Sequence, residues 1–454
     1  LVWYLHSDYG LKNKYLFTLN LGLDGSSRYG SKADGIPMFG TRFCFYPGMA
    51  AAWIISAEPF LAGSRIVELL KLRASWGLTG NDDIGNYTAQ KYYVAKNLLG
   101  YQGTMMGNLW NPALGAERNS RINAGLDMSF FRERISASVD IFRNKTSRMF
   151  DYVTANILTG FYGYYDNRGG FTTNGIDAMV RARVANRPLE WDLGIVLSKY
   201  ATKVDDLFDQ KRITPVFGAN ILTEEGRPLG LFYGYATRGV FAGDAEALQS
   251  GLSNRMANES LVPFRGGDVI FEDFHPDGII DENDMQVIGD PAPDLTGEIF
   301  TELRFKRISL QASLGFSVGN DVFNYLRYTL ENMSTTNNQT TAVVNRWRYQ
   351  GQATEIPRAA YGDPMQNSRF SDRWIEDGSY ARLKRVSLTY RLPVRSKWVH
   401  SADLFATGIN LLTFTKYLGL DPEFSLNGFA LSQGIDVGMI PQNEMVLLGV
   451  KLGL

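Results

Sequence analysis

The residues best placed by type and spacing to do chemistry lie in the run Asp-Phe-His-Pro-Asp-Gly-Ile-Ile-Asp-Glu-Asn-Asp, from Asp273 to Asp284. Carboxylates stand at its first, fifth, ninth and last places: Asp273, Asp277, Asp281 and Asp284. His275 takes the third place, Ile279 offers its carbonyl at the seventh, and Gly278 sits at the sixth, where a calcium loop must turn sharply. Calcium asks for roughly six to eight hard oxygens. His275 removes one of them, and Asp284 is a shorter arm than the Glu that usually closes such a loop. Two readings stand: a Ca2+ site held by Asp273, Asp277, Ile279, Asp281 and Asp284, or a rigid acidic loop held by Asx turns without metal.

A second set of residues is aromatic. Phe161, Tyr162, Tyr164 and Tyr165 surround Gly163, and Trp347 and Tyr349 mark a second such stretch. Flat rings of this kind stack on sugar faces or pack against a bound peptide; they also self-pack within loops or form a belt at the lipid headgroups. Catalytic constellations are missing. The chain has no Gly-x-Ser-x-Gly, His-Glu-x-x-His, Walker or Cys-x-x-Cys motif. His6, His275 and His400 are too scattered for a triad, and Cys44 has no cysteine partner. The chain is therefore read as no enzyme, with no cofactor required beyond the Ca2+ just weighed. With 46 Lys+Arg against 47 Asp+Glu, the charge balance points to no nucleic acid partner.

The elements that must carry these residues alternate with period two. In Ile308–Gly319 the residues Ile308, Leu310, Ala312, Leu314, Phe316 and Val318 are apolar, and those between them are small or polar. The same alternation, broken only by Leu16, Met179 and Leu447 at the other positions, runs through Tyr15–Asp24, Lys71–Leu78, Ile176–Val184 and Val446–Leu454. Successive strand side chains face opposite ways, so each such strand has one greasy face and one wet face. The charges Lys71, Arg73, Arg181, Arg183 and Lys451 fall on wet faces and are read as solvated or paired structural charges. No apolar run is long enough for a transmembrane helix, which leaves a membrane-crossing barrel open.

About thirteen strands follow from this pattern, near 2–9, 15–23, 41–55, 70–78, 122–130, 135–143, 176–184, 190–199, 297–305, 308–318, 380–392, 403–411 and 444–454. Short turns near 10–14, 131–134, 186–189, 305–307 and 393–401, and a somewhat longer one at 57–69, separate them on one side. Long excursions at 25–40, 79–121, 144–175, 200–297, 319–380 and 412–444 separate them on the other. That asymmetry predicts a transmembrane antiparallel β-barrel with short periplasmic turns and long extracellular loops. The 46 Gly, 27 Phe, 23 Tyr and 8 Trp suit kinked strands and interfacial girdles. Single-chain bacterial barrels normally close with an even strand number, so either further strands precede Leu1 or the count of thirteen is off by one. The opening Leu1-Val2-Trp3-Tyr4, without Met or signal peptide, is read as the start of a fragment.

Several segments, in order, resemble the SusC/RagA-type family of TonB-dependent outer-membrane transporters. LKLRASWGLTGN from Leu70 is similar to the family's LKLRxSYGxTGN, and EGRPLGLFYGYATRGVF from Glu225 to its EGxPxGxFYGYxxxGIF. Asn167–Val180 resembles NxGxxxNxGxE with Asp177 in the acidic place. Phe370–Pro393 and NLLTFTKYLGLDPE from Asn410 are similar to FVEDGSYLRLKNVTLGYTLP and NLFTxTKYxGxDPE. The family also carries a DxNGDGxID loop near Asp273, and it usually ends on an aromatic residue where this chain has Leu454. The resemblance implies a 22-stranded barrel of which residues 1–454 are the C-terminal part, with the plug, TonB box and signal peptide outside it. It implies TonB-dependent import of an oligosaccharide, glycan or peptide across the outer membrane of a Bacteroidetes-type Gram-negative cell. The partners it implies are a SusD-like surface lipoprotein, TonB–ExbB–ExbD through the preceding part of the protein, and outer-membrane lipid. A scaffold barrel contacting other outer-membrane subunits is the alternative role. A soluble carbohydrate-binding or hydrolytic β-protein is a third, and it requires Ile308, Leu310 and Leu314 to be buried against a second sheet.

Overall fold

The computed structural model describes residues 1–394, 398–426 and 428–453. The chain divides into two compact units, Leu1–Gln210 with Glu224–Arg227, and Lys211–Thr223 with the chain from Pro228 on. Eight long antiparallel strands make the sheet of the first unit: β1 (Val2–Leu11), β2 (Tyr15–Gly25), β3 (Thr41–Ile54), β4 (Val67–Asn81), β5 (Glu117–Phe130), β6 (Ile135–Ser147), β7 (Gly170–Ala185) and β8 (Leu189–Asp206). Five make the sheet of the second: β9 (Leu295–Phe305), β10 (Ile308–Val318), β11 (Tyr380–Leu392), β12 (Ser401–Thr415) and β13 (Met445–Gly453). Within each unit every strand pairs with its neighbours in chain order, as the alternation of short and long connections requires. Every strand expected from the alternation is present. The expected turn at 393–401 falls partly on residues 395–397, and the expected last strand ends at Leu454; both lie in part outside the described residues.

Register turns the period-two pattern into continuous bands. In the first unit Leu72, Leu126, Val139, Ala178 and Leu197 lie side by side from β4 to β8. In the second, Leu303, Leu310, Leu388, Ala406 and Leu448 do the same from β9 to β13. These bands are uncovered: Leu72 is 45% exposed, Ile141 61% and Leu448 78%. Ile308 is 47% exposed, and Leu310 and Leu314 are half-buried, with no second sheet over them among the described residues. The opposite face is polar at the same level. An Arg turned toward mid-bilayer would cost roughly 2–4 kcal/mol, so the face carrying Arg73 is the one turned from lipid.

The strands are longer than the alternation alone indicates. β8 runs 18 residues and β7 16, where about 9–11 cross the hydrocarbon at a tilt. The additions fall mainly at the ends joined by long connections, such as 117–121, 144–147, 170–175, 200–206 and 412–415. There both faces meet water or loops, so pairing continues while the apolar-polar alternation that marks a strand in sequence fades.

The short-turn rim carries interfacial anchors. The rings of Tyr15 and Trp53 stack with centroids 6.4 Å apart. Tyr15 Oη and Trp53 Nε1 both donate to Glu58 Oε1, at 2.7 and 3.1 Å, while Lys14 Nζ donates to Oε2 at 3.0 Å. These donors, Tyr15 first and then Lys14 and Trp53, hold the Glu58 carboxyl down at about 2.

The long connections are not bare loops. Hairpins Tyr93–Leu98 with Tyr101–Met106 and Phe150–Thr154 with Gly163–Asn167 rise from the first unit. In the second unit the connections build small sheets and the helices Asp244–Ser250 and Tyr325–Glu331. They enclose two hydrophobic clusters. One is centred on Phe232, Phe323, Phe370, Trp374 and Ile435, the other on Phe241, Phe264, Val269, Phe271 and Ile280.

Candidate functional site

The wet face of the wall is an ion-paired lattice. Arg73 sends Nε to Asp127 Oδ2 at 2.8 Å and Nη2 to Asp127 Oδ1 at 2.9 Å, and reaches Asp140 with Nη1 and Nη2 at 2.8 Å each. Lys71 lies 3.9 Å from Asp127. Arg181 and Arg183 share Asp192, at 3.0 and 3.1 Å. Lys451 sits opposite Asp403 in register, and Arg391 bonds Asp403 at 2.9 Å. Four of the five wet-face charges singled out in the sequence are thus paired, which suits a wall that keeps its shape rather than a moving charge relay.

Two motif segments meet at one ion cluster. Arg382 of β11 is 3% exposed; it bonds Asp421, donates to Glu423 Oε2 at 3.0 Å, and reaches Thr413 Oγ1 at 2.8 Å. Lys384 also bonds Glu423. Lys384 is the extra residue of a bulge: Ser313 pairs with Arg385 and Leu314 with Leu383. A bulge re-aims a side chain, and here it turns Lys384 to the 412–444 connection. Burial raises the Asp421 carboxyl, but Arg382 and the N–H groups of Gln442 and Glu423 outweigh it and hold the group below the usual carboxylate range.

The 273–284 loop spends its carboxylates on itself. Asp273 accepts from the N–H of Asp277 and Gly278, at 3.3 and 2.8 Å. Asp277 accepts from Ile279 at 2.8 Å. Asp281 accepts from Asn283 at 2.8 Å and from Arg255 Nε at 3.0 Å. Asp284, 1% exposed, accepts from His275 at 3.1 Å and from Asp281 at 2.8 Å. Gly278 has φ +79°, the left-handed turn its place predicts. Ile279 lies in a two-residue strand, and its segment pairs in parallel with Ser253–Arg255. Among the described residues no group of three or more His, Cys, Asp and Glu is arranged to hold a metal ion.

The two aromatic sets differ in setting. Tyr162 is 92% exposed at the tip of the 150–167 hairpin, beside Ile157 and Leu158. Phe161 and Tyr164 are half-buried, and Tyr165 packs edge-on against Tyr152 at 5.3 Å. The hairpin base is pinned. Asn111 Nδ2 donates to Tyr165 O and Asp166 Oδ1 at 3.1 and 2.9 Å, and Asn167 exchanges bonds of 2.7 and 3.0 Å with the backbone of Gly115. Trp347 is half-buried and donates Nε1 to Ala242 O at 3.0 Å; a Cβ on Gly267 would come within 2.5 Å of its ring. Tyr349 is exposed.

Sequence reasoning missed a wholly buried carboxylate of the loops. Asp268, wholly buried, receives a fork from Arg358 at 2.9 and 3.1 Å, Asn367 Nδ2 at 2.9 Å and the N–H of Arg265 at 2.9 Å. The Arg-Gly-Gly-Asp turn at 265–268 was the available signal, since Gly267 at φ +84° marks a tight backbone. Nothing in linear order pairs it with Arg358.

Comparison with known proteins agrees with this geometry. The family described as TonB dependent receptor-like, beta-barrel matches residues 3–258. TonB-dependent receptor P26 of Formosa agariphila is 30% identical over 465 residues, covering 98% of this chain and 45% of the relative. TonB-dependent receptor SusC of Bacteroides thetaiotaomicron is 26% identical over 468 residues, covering 98% and 43%. The chain thus spans less than half the length of these curated relatives. The solved RagAB peptide transporter shares the fold at a TM-score of 0.80 and 24% identity, covering 99% of this chain and 47% of that one. With its bands of exposed apolar residues, its paired wet face and its ordered run of shared segments, the chain belongs to the TonB-dependent receptor-like β-barrel family, as part of an outer-membrane barrel of SusC/RagA type.

Proposed function

We propose that this chain supplies the wall and the outer mouth of a TonB-dependent importer of bulky nutrients, an oligosaccharide, glycan or peptide. A SusD-like surface lipoprotein closes over its long connections, and TonB–ExbB–ExbD acts through the part of the protein that precedes Leu1. The observation that carries the reading is the second unit's mouth. Its connections fold around two hydrophobic clusters and a buried Asp268–Arg358 pair, which is the preorganisation a ligand-facing surface needs. The exposed rings Tyr162 and Tyr349, with Phe161, Tyr164 and Tyr165, are the ligand- or lipoprotein-facing aromatics of this proposal. Trp347 serves it indirectly, by holding the turn at Gly267. The loop from Asp273 to Asp284 acts as a self-braced rib, with no Ca2+ required. The names of the relatives, a SusC receptor and a RagAB peptide transporter, support the class of cargo and the kind of partner.

The test is a strain lacking the protein, grown on a panel of single oligosaccharides and peptides as sole carbon source. Loss of growth on one substrate, reproduced by deleting TonB, together with a surface lipoprotein that co-purifies with the tagged protein, is the expected result. Normal growth on every substrate, with other outer-membrane assemblies lost, would instead support the scaffold role.

A further inference from the structure

We propose that a cavity in the second unit, beside Arg373, is a seat for a carboxylate of the ligand, whose oxygens supply the hydrogen-bonded partner this guanidinium lacks. The cavity holds about 600 Å³, a size in the usual range for small-ligand sites. Arg373 belongs to the single turn Asp372–Trp374. Both neighbours are fixed. Asp372 accepts from Thr237 N at 3.0 Å and Thr237 Oγ1 at 2.6 Å. Trp374 is wholly buried and donates Nε1 to Arg369 O at 3.2 Å. The guanidinium of Arg373 lies 4.8 Å from the Trp374 ring centre. Among the described residues no hydrogen bond or ion pair engages it.

The other charges of the cavity, Glu355 apart, are committed elsewhere. Arg238 bonds Glu272 at 2.7 Å. Arg327 bonds Glu376 at 2.5 Å and Glu331 at 3.3 Å, and Glu331 also accepts from Thr340 at 3.0 Å. Glu355 lines the cavity but is exposed, and no ion pair joins it to Arg373. Burial, and then the neighbouring Arg327, push Arg373 down to about 10 against the weaker upward pull of Glu331 and Asp363, neither of which bonds it, so it keeps its charge at neutral pH. A charged group so placed is costly to leave unpaired. A guanidinium is a planar fork that meets the two oxygens of a carboxylate in parallel. Val269, Ile356 and Leu418, with the bare backbone of Gly239, give the body of such a ligand an apolar wall. The proposal rests on the import reading for where the ligand comes from, and two sources share the chemistry: a uronate of an acidic oligosaccharide, or an acidic peptide.

The intact protein, purified in detergent, is titrated with tri-galacturonate and with tri-glutamate, and with the methyl ester of each, by calorimetry. Binding of either acid, weakened about tenfold or more by Arg373→Gln and partly restored by Arg373→Lys, is expected; the esters should bind no better to wild type than to the variant. Glu355→Gln should strengthen acid binding. Should Arg373→Gln disturb folding, Ala342→Phe fills the same cavity without touching a charge and should also abolish binding. The acid that binds names the source. If neither acid binds wild type, or Arg373→Gln binds both unchanged, the seat is overturned. Failure of the seat with substrate-dependent growth intact leaves import standing; binding intact in a strain whose deletion costs no growth overturns import and leaves the seat.

Discussion

The long connections of the first unit and those of the second leave the wall in the same way and end differently. In the first, the hairpins project with bare tips: Leu99 is 91% exposed and Tyr162 92%. The hydrophobic cluster found there among the described residues is small, built on Tyr29, Ala33, Cys44 and Ala116. In the second, segments far apart in sequence converge on Phe232, Phe323 and Trp374, all wholly buried. Aromatic richness alone therefore says little about a loop's task. What separates the regions is whether other connections arrive close enough to cover the rings. The second unit has more chain per wall strand above its rim, and that chain buries itself. The first unit leaves its rings bare at the hairpin tips.

The sharpest way to break this contrast is Trp374→Ala. Removing a wholly buried Trp should cost about 3–5 kcal/mol. Limited proteolysis should then cut the 319–380 connection quickly while the wall strands survive. If cleavage is unchanged, the second unit's loops do not depend on their cluster and the contrast fails. Next in size is Arg358→Met. It leaves the Asp268 carboxylate buried with Asn367 and one N–H for company. Arg358 is 30% exposed at its side chain, so the loss should fall below that of a fully buried pair, at about 2–3 kcal/mol. The double variant Asp268→Asn with Arg358→Met should recover part of it, read as a melting temperature in detergent.

The wall was legible in the sequence because lipid on one side and water on the other impose a period-two code over each crossing. Ile308 to Val318 spells it without interruption, and the strand found there has those same ends. The code fades where a strand leaves the membrane, so β7 and β8 were under-measured at their outer ends. The folded mouth was hidden for a different reason. The Arg358–Asp268 fork joins residues 90 apart, and the Arg382–Asp421 bond joins residues 39 apart. No local periodicity encodes such pairs. The two segments overlapping β11 and β12 that resemble family motifs did point to this place, and the ion cluster of Arg382, Lys384, Asp421 and Glu423 is what joins them in space. The aromatic sets carried equal weight in sequence because ring content was their only signal. Exposure separates Tyr162 from Trp347.

A smaller effect sharpens the other half of the contrast. Tyr162→Ser removes a ring that touches little, so stability should stay within about 0.5 kcal/mol of wild type. Co-purification of the surface lipoprotein, or affinity for the imported ligand, should nonetheless fall. A drop in melting temperature comparable to that of Trp374→Ala would mean the first unit's hairpin is packed after all.

The smallest expected effect concerns calcium. A cation at the 273–284 loop would need Asp273, Asp281 and Asp284 to release the N–H groups they now hold, and Asp281 to leave Arg255. Burial of Asp284, the largest influence on it, already raises its carboxyl, which opposes gathering further negative charge there. At 1 mM Ca2+ a sensor-grade site with a Kd near 10 μM would stabilise the fold by about 2.7 kcal/mol. That is close to the loss assigned to Arg358→Met and easily read as a melting shift. The expectation is no difference between 1 mM Ca2+ and EGTA. A shift of that size, abolished by Asp277→Asn, would make the loop a metal site and would place a ligand-dependent clamp in the unit now described as braced by its own side chains.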